Sequence, residues 1–428
     1  MRKKIKRIMI YCSLMVLLPS IIFISCGVRK ILQLNAAKEE QVENLPETFR
    51  EETPLHLKEG WFFIQAKINR QHYKNFIIDT KASSILIQDE IEDWNANYWG
   101  TFPFVKSTNA YGQKQKILIY HFNTHEIGSL IVEKPLFEKM PNDNAIYELL
   151  SANDAGILGH TLLPQLCWKF SIDEQRLIMF NKNDSALIAK ETAGFIRMKG
   201  GIGPRDNMSL SFSPLQHSDK FILDLGYTGE VEVNKKTFAA LSEHYPVKEI
   251  LMARSGTIDE IIYMIENADI RWDDFLIPDC QVVYMPLVNM NLIGGGLMQR
   301  FNFVLAYKQQ EPPKSGFRLH TPPSKDILYL KPVSNFDSIQ STPYTSSLGF
   351  KLGKLNGKLI ISAIEIGSPV ELAGLQIRDE IISLDNGDYN INFDNHIHED
   401  FIEYIADKES VVVRVKRDEN IIEVLINI

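Results

Sequence analysis

Cysteine is scarce: there are four in 428 residues, at positions 12, 26, 167 and 280, and none is spaced with histidines as metal ligands are. The ten histidines are scattered, and Ser83 and Ser84 lie in no nucleophile-elbow context. A Ser/His/Asp relay is therefore not suggested, and no cofactor or metal is implied. His160, beside Gly159, reads as structural. Positive charge is also lacking. The net charge is −8, and five of the basic residues (Arg2, Lys3, Lys4, Lys6 and Arg7) crowd the first seven positions, so the rest is more acidic still. That balance excludes a general nucleic-acid partner.

What is present is ordinary globular material, 45% hydrophobic and 23% charged, in a length that suits two to three domains. The organising stretch is Phe76-Ile77-Ile78-Asp79-Thr80-Lys81-Ala82-Ser83-Ser84. An apolar run of this kind reads as a buried strand, and a carboxylate at its end is costly unless a site uses it or hydrogen bonds satisfy it. The pattern returns at Phe221-Ile222-Leu223-Asp224-Leu225-Gly226-Tyr227-Thr228-Gly229. Taken alone, each aspartate also admits the plainer, lesser reading of a strand-end turn residue. Taken together, they point to two similar lobes sharing one site.

Both halves are rich in short strands. In the first, residues 61–68 and the run into Asp79 read as a hairpin. Further strands are expected at 116–122, 127–132, 136–140, 168–173 and 176–180, with Gly156-Ile157-Leu158-Gly159 before the last two. In the second, residues 235–241 read as a short helix capped by Asn234. Strands follow at 270–277, 281–285 and 301–307, with Leu292-Ile293-Gly294 in the place of the earlier glycine segment. Prolines 312, 313, 322 and 323 mark a linker.

Two carboxylates held close share a proton, so one is an acid while the other is a base, and a water between them can attack an amide carbonyl. At these residues the chain resembles the pepsin/retropepsin-like aspartic proteases, whose motif is Asp-Thr-Gly once per lobe. The resemblance covers about residues 55–310. It implies a mainly β, two-lobed β-barrel fold, with Asp79 and Asp224 as the catalytic pair. Thr80, Ser83, Gly226 and Thr228 then support the site, and Tyr111-Gly112 forms the tip of a flap, where a plain reading gives a surface hairpin. Lys81 stands where the first glycine belongs and Leu225 where the second threonine belongs. Leu225 removes half of the threonine grip between lobes. Lys81 would be penalised if the turn needs positive φ, and its side chain either points into solvent, leaving only backbone at the site, or pairs its ammonium with Asp79. Two functions follow: an aspartic-type peptidase acting on proteins or peptides, or a peptide-binding module that kept the cleft without turnover.

The C-terminal part resembles a PDZ domain, a small α+β unit. Ser347-Leu348-Gly349-Phe350 is similar to its carboxylate-binding loop, with peptide contacts at Leu348, Gly349 and Phe350. Gly367-Ser368-Pro369, Ala373-Gly374-Leu375 and Asp379-Glu380-Ile381 continue the likeness, with Arg378 in place of a glycine. A helix is expected at about 398–406 and a terminal hairpin across 411–426. Such a unit implies a peptide or protein ligand.

At the other end, the basic cluster, the apolar run 8–24 and Ser25-Cys26-Gly27 have the layout of an export signal. Residues 23–27 resemble a bacterial lipoprotein cleavage box, which implies lipidation at Cys26. An uncleaved signal anchor over 8–28 is the alternative. Both place the body outside the cytoplasm, held at a bacterial envelope membrane. Only Cys167 and Cys280 then remain in the folded body, as one disulfide or as two buried thiols. The expected division is signal or anchor 1–25, tether 26–50, lobe one 51–185, lobe two 186–310, linker 311–340 and PDZ-like unit 341–428.

Overall fold

The computed structural model describes residues 33–427, apart from 35, 59, 87–93, 95, 109–113, 140–153, 202–207, 214, 216, 254–258, 308–326, 337–338, 340–343, 356–357, 386–400 and 402–403. The fold is mainly β, gathered into two large sheets. Among the described residues no helix is long and apolar enough to cross a membrane. The apolar run 8–24, Cys26, Tyr111 and Gly112 lie outside the described residues.

The first hairpin forms where expected. Trp61–Ile68 pairs antiparallel with His72–Ile78. The turn between them closes with the Gln71 N–H donating to the Ile68 carbonyl at 3.0 Å. Asn69 and Arg70 both take positive φ there, 48° and 62°. That is the mirror-image two-residue turn whose twist matches paired strands. The second strand delivers Asp79. Its buried end, Phe76 to Ile78, lies parallel to Asp154–Leu158, with Ile77 opposite Ile157 and Ile78 opposite Leu158.

Lobe two repeats this unit. His217–Asp224 lies parallel to Leu292–Gly294, placing Asp224 opposite Gly294. Each aspartate thus ends a strand whose neighbour is an apolar strand followed or closed by glycine. Lys235–Leu241 is helical, and the Asn234 side chain accepts from the Thr237 N–H at 3.0 Å, as its position before the helix implies.

The lobes are joined by strand pairing. Leu166–Ser171 of lobe one pairs with Phe301–Ala306, and that strand pairs with Ile327–Pro332. Residues expected to be linker therefore include a sheet strand. Its alternate residues Leu328 and Leu330 are fully buried, which a solvated linker would not permit. Phe170 stacks on Phe303 across the seam at 4.2 Å, with Phe62 edge-on to both. One hydrophobic core runs through both lobes.

The segment read as a tether is partly docked. Residues 33–34 and 36–40 are helical. Gln41 is buried: its amide nitrogen donates to the Thr161 carbonyl at 3.0 Å and its oxygen accepts from the Leu136 N–H at 3.1 Å. Cys167 and Cys280 are two buried thiols, not joined in a disulfide.

The C-terminal unit has its own core around Leu348, Phe350, Ile361, Val413 and Phe401. It is not separate in the sheet. Lys248–Met252 of lobe two pairs antiparallel with Lys358–Glu365, Leu251 lying opposite Ile364. Of the expected helix, Phe401 and residues 404–405 are helical, with Phe401 and Ile405 buried; the remainder is outside the described residues. The terminal hairpin pairs Ser410–Arg417 with Asn420–Asn427.

Candidate active site

Asp79 and Asp224 meet at the seam between the lobes. Thr80 brings them there. Its hydroxyl donates to the Leu223 carbonyl at 2.9 Å and accepts from the Leu225 N–H at 3.1 Å, both in the opposite lobe. Thr80, Leu223 and Leu225 are buried, so this one hydroxyl serves two backbone groups of lobe two away from solvent. Trp61 adds a second tie between lobes, its indole N–H donating to the Gly226 carbonyl at 2.9 Å.

The two carboxylates are held alike on one side. Asp79 Oδ1 accepts from the backbone N–H groups of Lys81 at 2.7 Å and Ala82 at 2.9 Å. Asp224 Oδ1 accepts from the Gly226 N–H at 3.1 Å. On the other side each reaches across the seam. Asp79 Oδ2 presses on Gly226, where a Cβ would overlap it, so glycine is required for a close approach rather than for its dihedral freedom. Asp224 Oδ2 faces Lys81 Nζ at 3.3 Å.

The Lys81 side chain goes to neither of its two expected places, solvent or Asp79. Its ammonium forms an ion pair with Asp224, not with Asp79, because its side chain crosses the seam while its backbone stays with its own aspartate. It also does not occupy the left-handed region, so the turn imposes no positive-φ penalty on a side chain there.

The carboxyls differ in surroundings. Asp224 is buried and Asp79 keeps part of its surface open. Desolvation by the surrounding protein, and then repulsion from Asp224, push the Asp79 carboxyl up to about 7, against the pull of the Ala82 and Lys81 N–H groups and the Lys81 charge. The pair therefore retains a proton at mildly acidic pH. Tyr227, next along the second loop, has its hydroxyl pushed well above its usual range, chiefly by burial and then by Glu232, so it stays neutral.

The other expected supporting residues divide. Ser83 hydrogen-bonds Glu138 instead of the aspartate, and it is Ser84 whose Oγ accepts from the Gly159 N–H at 3.0 Å, tying the loop to the glycine segment behind it. Thr228 packs its carbonyl against Gly60, which sits at φ 86°. Gly60 and Trp61 are site residues that the sequence does not single out. The signal available is a glycine-aromatic pair at the start of strand Trp61–Ile68, which reads equally as a turn and a core residue.

In the C-terminal unit Leu348 and Phe350 are fully buried, so a ligand there would meet only their backbone. Gly349 takes φ 85° and its N–H donates to the Ser346 carbonyl at 2.8 Å. Phe350–Leu355 pairs with Lys358–Glu365. Arg378, at φ 68°, forms an ion pair with Asp259 of lobe two at 2.5 Å. Among the described residues no group of three or more His, Cys, Asp or Glu side chains is placed to hold a metal ion.

No family model matches the chain, and no curated protein matches it. Among solved structures it is similar to the crystal structure of a retropepsin-like aspartic protease from Rickettsia conorii, at 19% identity. The similarity covers 32% of this chain and 97% of that one, with a TM-score of 0.22. A likeness at that level is too slight to bear on function.

Proposed function

We propose that this chain is an aspartic-type peptidase whose Asp79–Asp224 pair activates a water against peptide bonds in protein or peptide substrates. The observation that carries the reading is the meeting of the two aspartates, locked by the double hydrogen bond of Thr80 across the seam. An acid raised to about 7 beside a second carboxylate is what the chemistry needs. One carboxylate takes a proton from water as the water oxygen bonds to the carbonyl carbon. The other carboxyl gives its proton to the carbonyl oxygen. The tetrahedral diol then collapses: the C–N bond breaks, the nitrogen takes the first proton, and a diol hydroxyl returns the second. The acid and the base come from the site and the water from solvent, and the products are an amine and a carboxylic acid.

The rival is a peptide-binding protein without turnover. The Lys81–Asp224 ion pair favours it, since an ammonium beside a carboxylate weakens that carboxylate as a base. Incubating the full chain with a peptide library between pH 4 and 7.5 separates the two. Cleavage in wild type that is lost in both Asp79→Asn and Asp224→Asn supports the peptidase. Peptide binding with no cleavage in any of the three supports the rival.

The C-terminal unit is proposed to take a peptide along the Phe350–Leu355 strand, whose pairing among the described residues is with Lys358–Glu365 on one side. The chain is proposed to be exported and membrane-anchored, by lipid on Cys26 or by an uncleaved apolar segment. Loss of lipid labelling in Cys26→Ala supports the first. Unchanged processing and membrane retention in that variant supports the second.

A further inference from the structure

The two loops reach across the seam unequally. Lobe two presents bare backbone at Gly226 to Asp79 Oδ2, whereas lobe one presents the Lys81 ammonium to Asp224 Oδ2 at 3.3 Å. We infer that Lys81 is a positioning residue that polarises the pair, holding the negative charge on Asp224 and leaving the shared proton on Asp79. This rests on the peptidase reading for its roles: Asp224 is then the base that takes the proton from water, and Asp79 the acid that protonates the carbonyl oxygen. In a pair with equal loops either carboxyl can serve as either.

The geometry supports this from several sides. The Lys81 side chain is 36% exposed, so its aliphatic stem is partly covered while its head is committed to Asp224, whose side chain is 11% exposed. Its backbone N–H stays with Asp79 Oδ1, so one residue touches both carboxyls, by a neutral dipole on one and a full charge on the other. The groups acting on Asp79 are Asp224, the Ala82 and Lys81 N–H groups and the Lys81 charge, while Tyr227 in the second loop is acted on by Glu232, Tyr344, Glu230 and Asp224. Tyr227 is neutral, and Lys81 is the cation that acts on Asp79 and pairs with Asp224. The upward displacement of Asp79 agrees with the proton resting there.

An ammonium at this distance favours the singly protonated pair over the doubly protonated one. It therefore carries that form further into acid than the carboxyls would manage alone. The test is a carboxyl-carbon NMR titration of aspartate-labelled full chain, in wild type, Lys81→Met and Lys81→Arg, run beside a pH profile of peptide cleavage. In Lys81→Met the lower of the two titration steps of the pair should rise by about one pH unit, toward the small end of the usual effect because the lysine is partly exposed. Lys81→Arg should restore it to near the wild-type position. Raising the salt concentration should move the lower step upward in wild type but not in Lys81→Met, a comparison that needs no restored charge. The acid limb of cleavage should follow the same shifts. A lower step that Lys81→Met and salt both leave in place overturns the inference. Titration shifts as expected with no cleavage in wild type would uphold the polarised pair and reject the peptidase reading, so the two failures are distinguishable.

Discussion

In loop 79–84 the aspartate is followed by threonine and lysine; in loop 224–229 it is followed by leucine and glycine. Both loops end a strand that lies parallel to a strand associated with glycine, and both hold their Oδ1 oxygen with backbone N–H groups. The shared parts are those that backbone alone supplies. The parts that differ are the side chains crossing the seam, and they have been divided between the loops. Lobe one provides the hydroxyl that locks the lobes and the charge that reaches the other carboxyl. Lobe two provides the open space into which Asp79 leans. A two-lobed site can therefore depart from its own repeat at both loops and still close, because each missing element on one side is met by one on the other.

The largest way to break this comparison is to remove either carboxyl. Asp79→Asn and Asp224→Asn should each lower peptide cleavage by roughly 10²–10⁴-fold, the usual range for loss of an acid or base, as read by product formation. The losses should be non-additive in the double variant, because the two act as a unit.

Next comes the lock. Thr80→Val removes the hydroxyl from two buried backbone groups, each worth roughly 1–3 kcal/mol when left without a partner. Denaturant unfolding should report that loss, and Thr80→Ser should recover most of it.

The space in lobe two gives the third test. Gly226→Ala places a methyl against Asp79 Oδ2 and should cost about 1–3 kcal/mol by overpacking, together with activity. Lys81→Ala, at the matching position, should cost far less stability, since that loop already carries a side chain. Equal losses at the two positions would show the loops to be alike after all.

A separate effect is on stability against pH. Asp79 moves from 3.8 to about 7 on folding, so between those values the native chain binds more protons than the unfolded one. Its contribution is full below about pH 4, declines as pH rises toward 7, and is level above. Asp79→Asn should flatten that slope in unfolding curves collected across the range.

Much of this site was legible because it is local. An apolar run ending in aspartate, repeated once, fixes a strand and the direction in which its carboxylate leaves, and the glycine segments lie beside those strands as their order implies. The Asn234 cap and the terminal hairpin were legible for the same reason. What escaped depends on contacts between distant residues. From sequence Lys81 belongs in solvent or on its neighbour Asp79, yet a four-carbon stem can cross to Asp224, and sequence adjacency says nothing about which carboxyl it meets. Strand 327–332 was hidden by the prolines before it, since its pairing partner lies in a segment read as closing lobe two. The docking of Gln41 between Thr161 and Leu136 left no mark in a polar stretch.

The most direct test of the central claim is the pH–rate profile of peptide cleavage by the full chain. A pair sharing one proton predicts a bell, with its alkaline limb near pH 7 where Asp79 gives up its proton, and no such profile in Asp79→Asn or Asp224→Asn. Cleavage by Asp79→Asn at the wild-type rate, with the same dependence on pH, would contradict it.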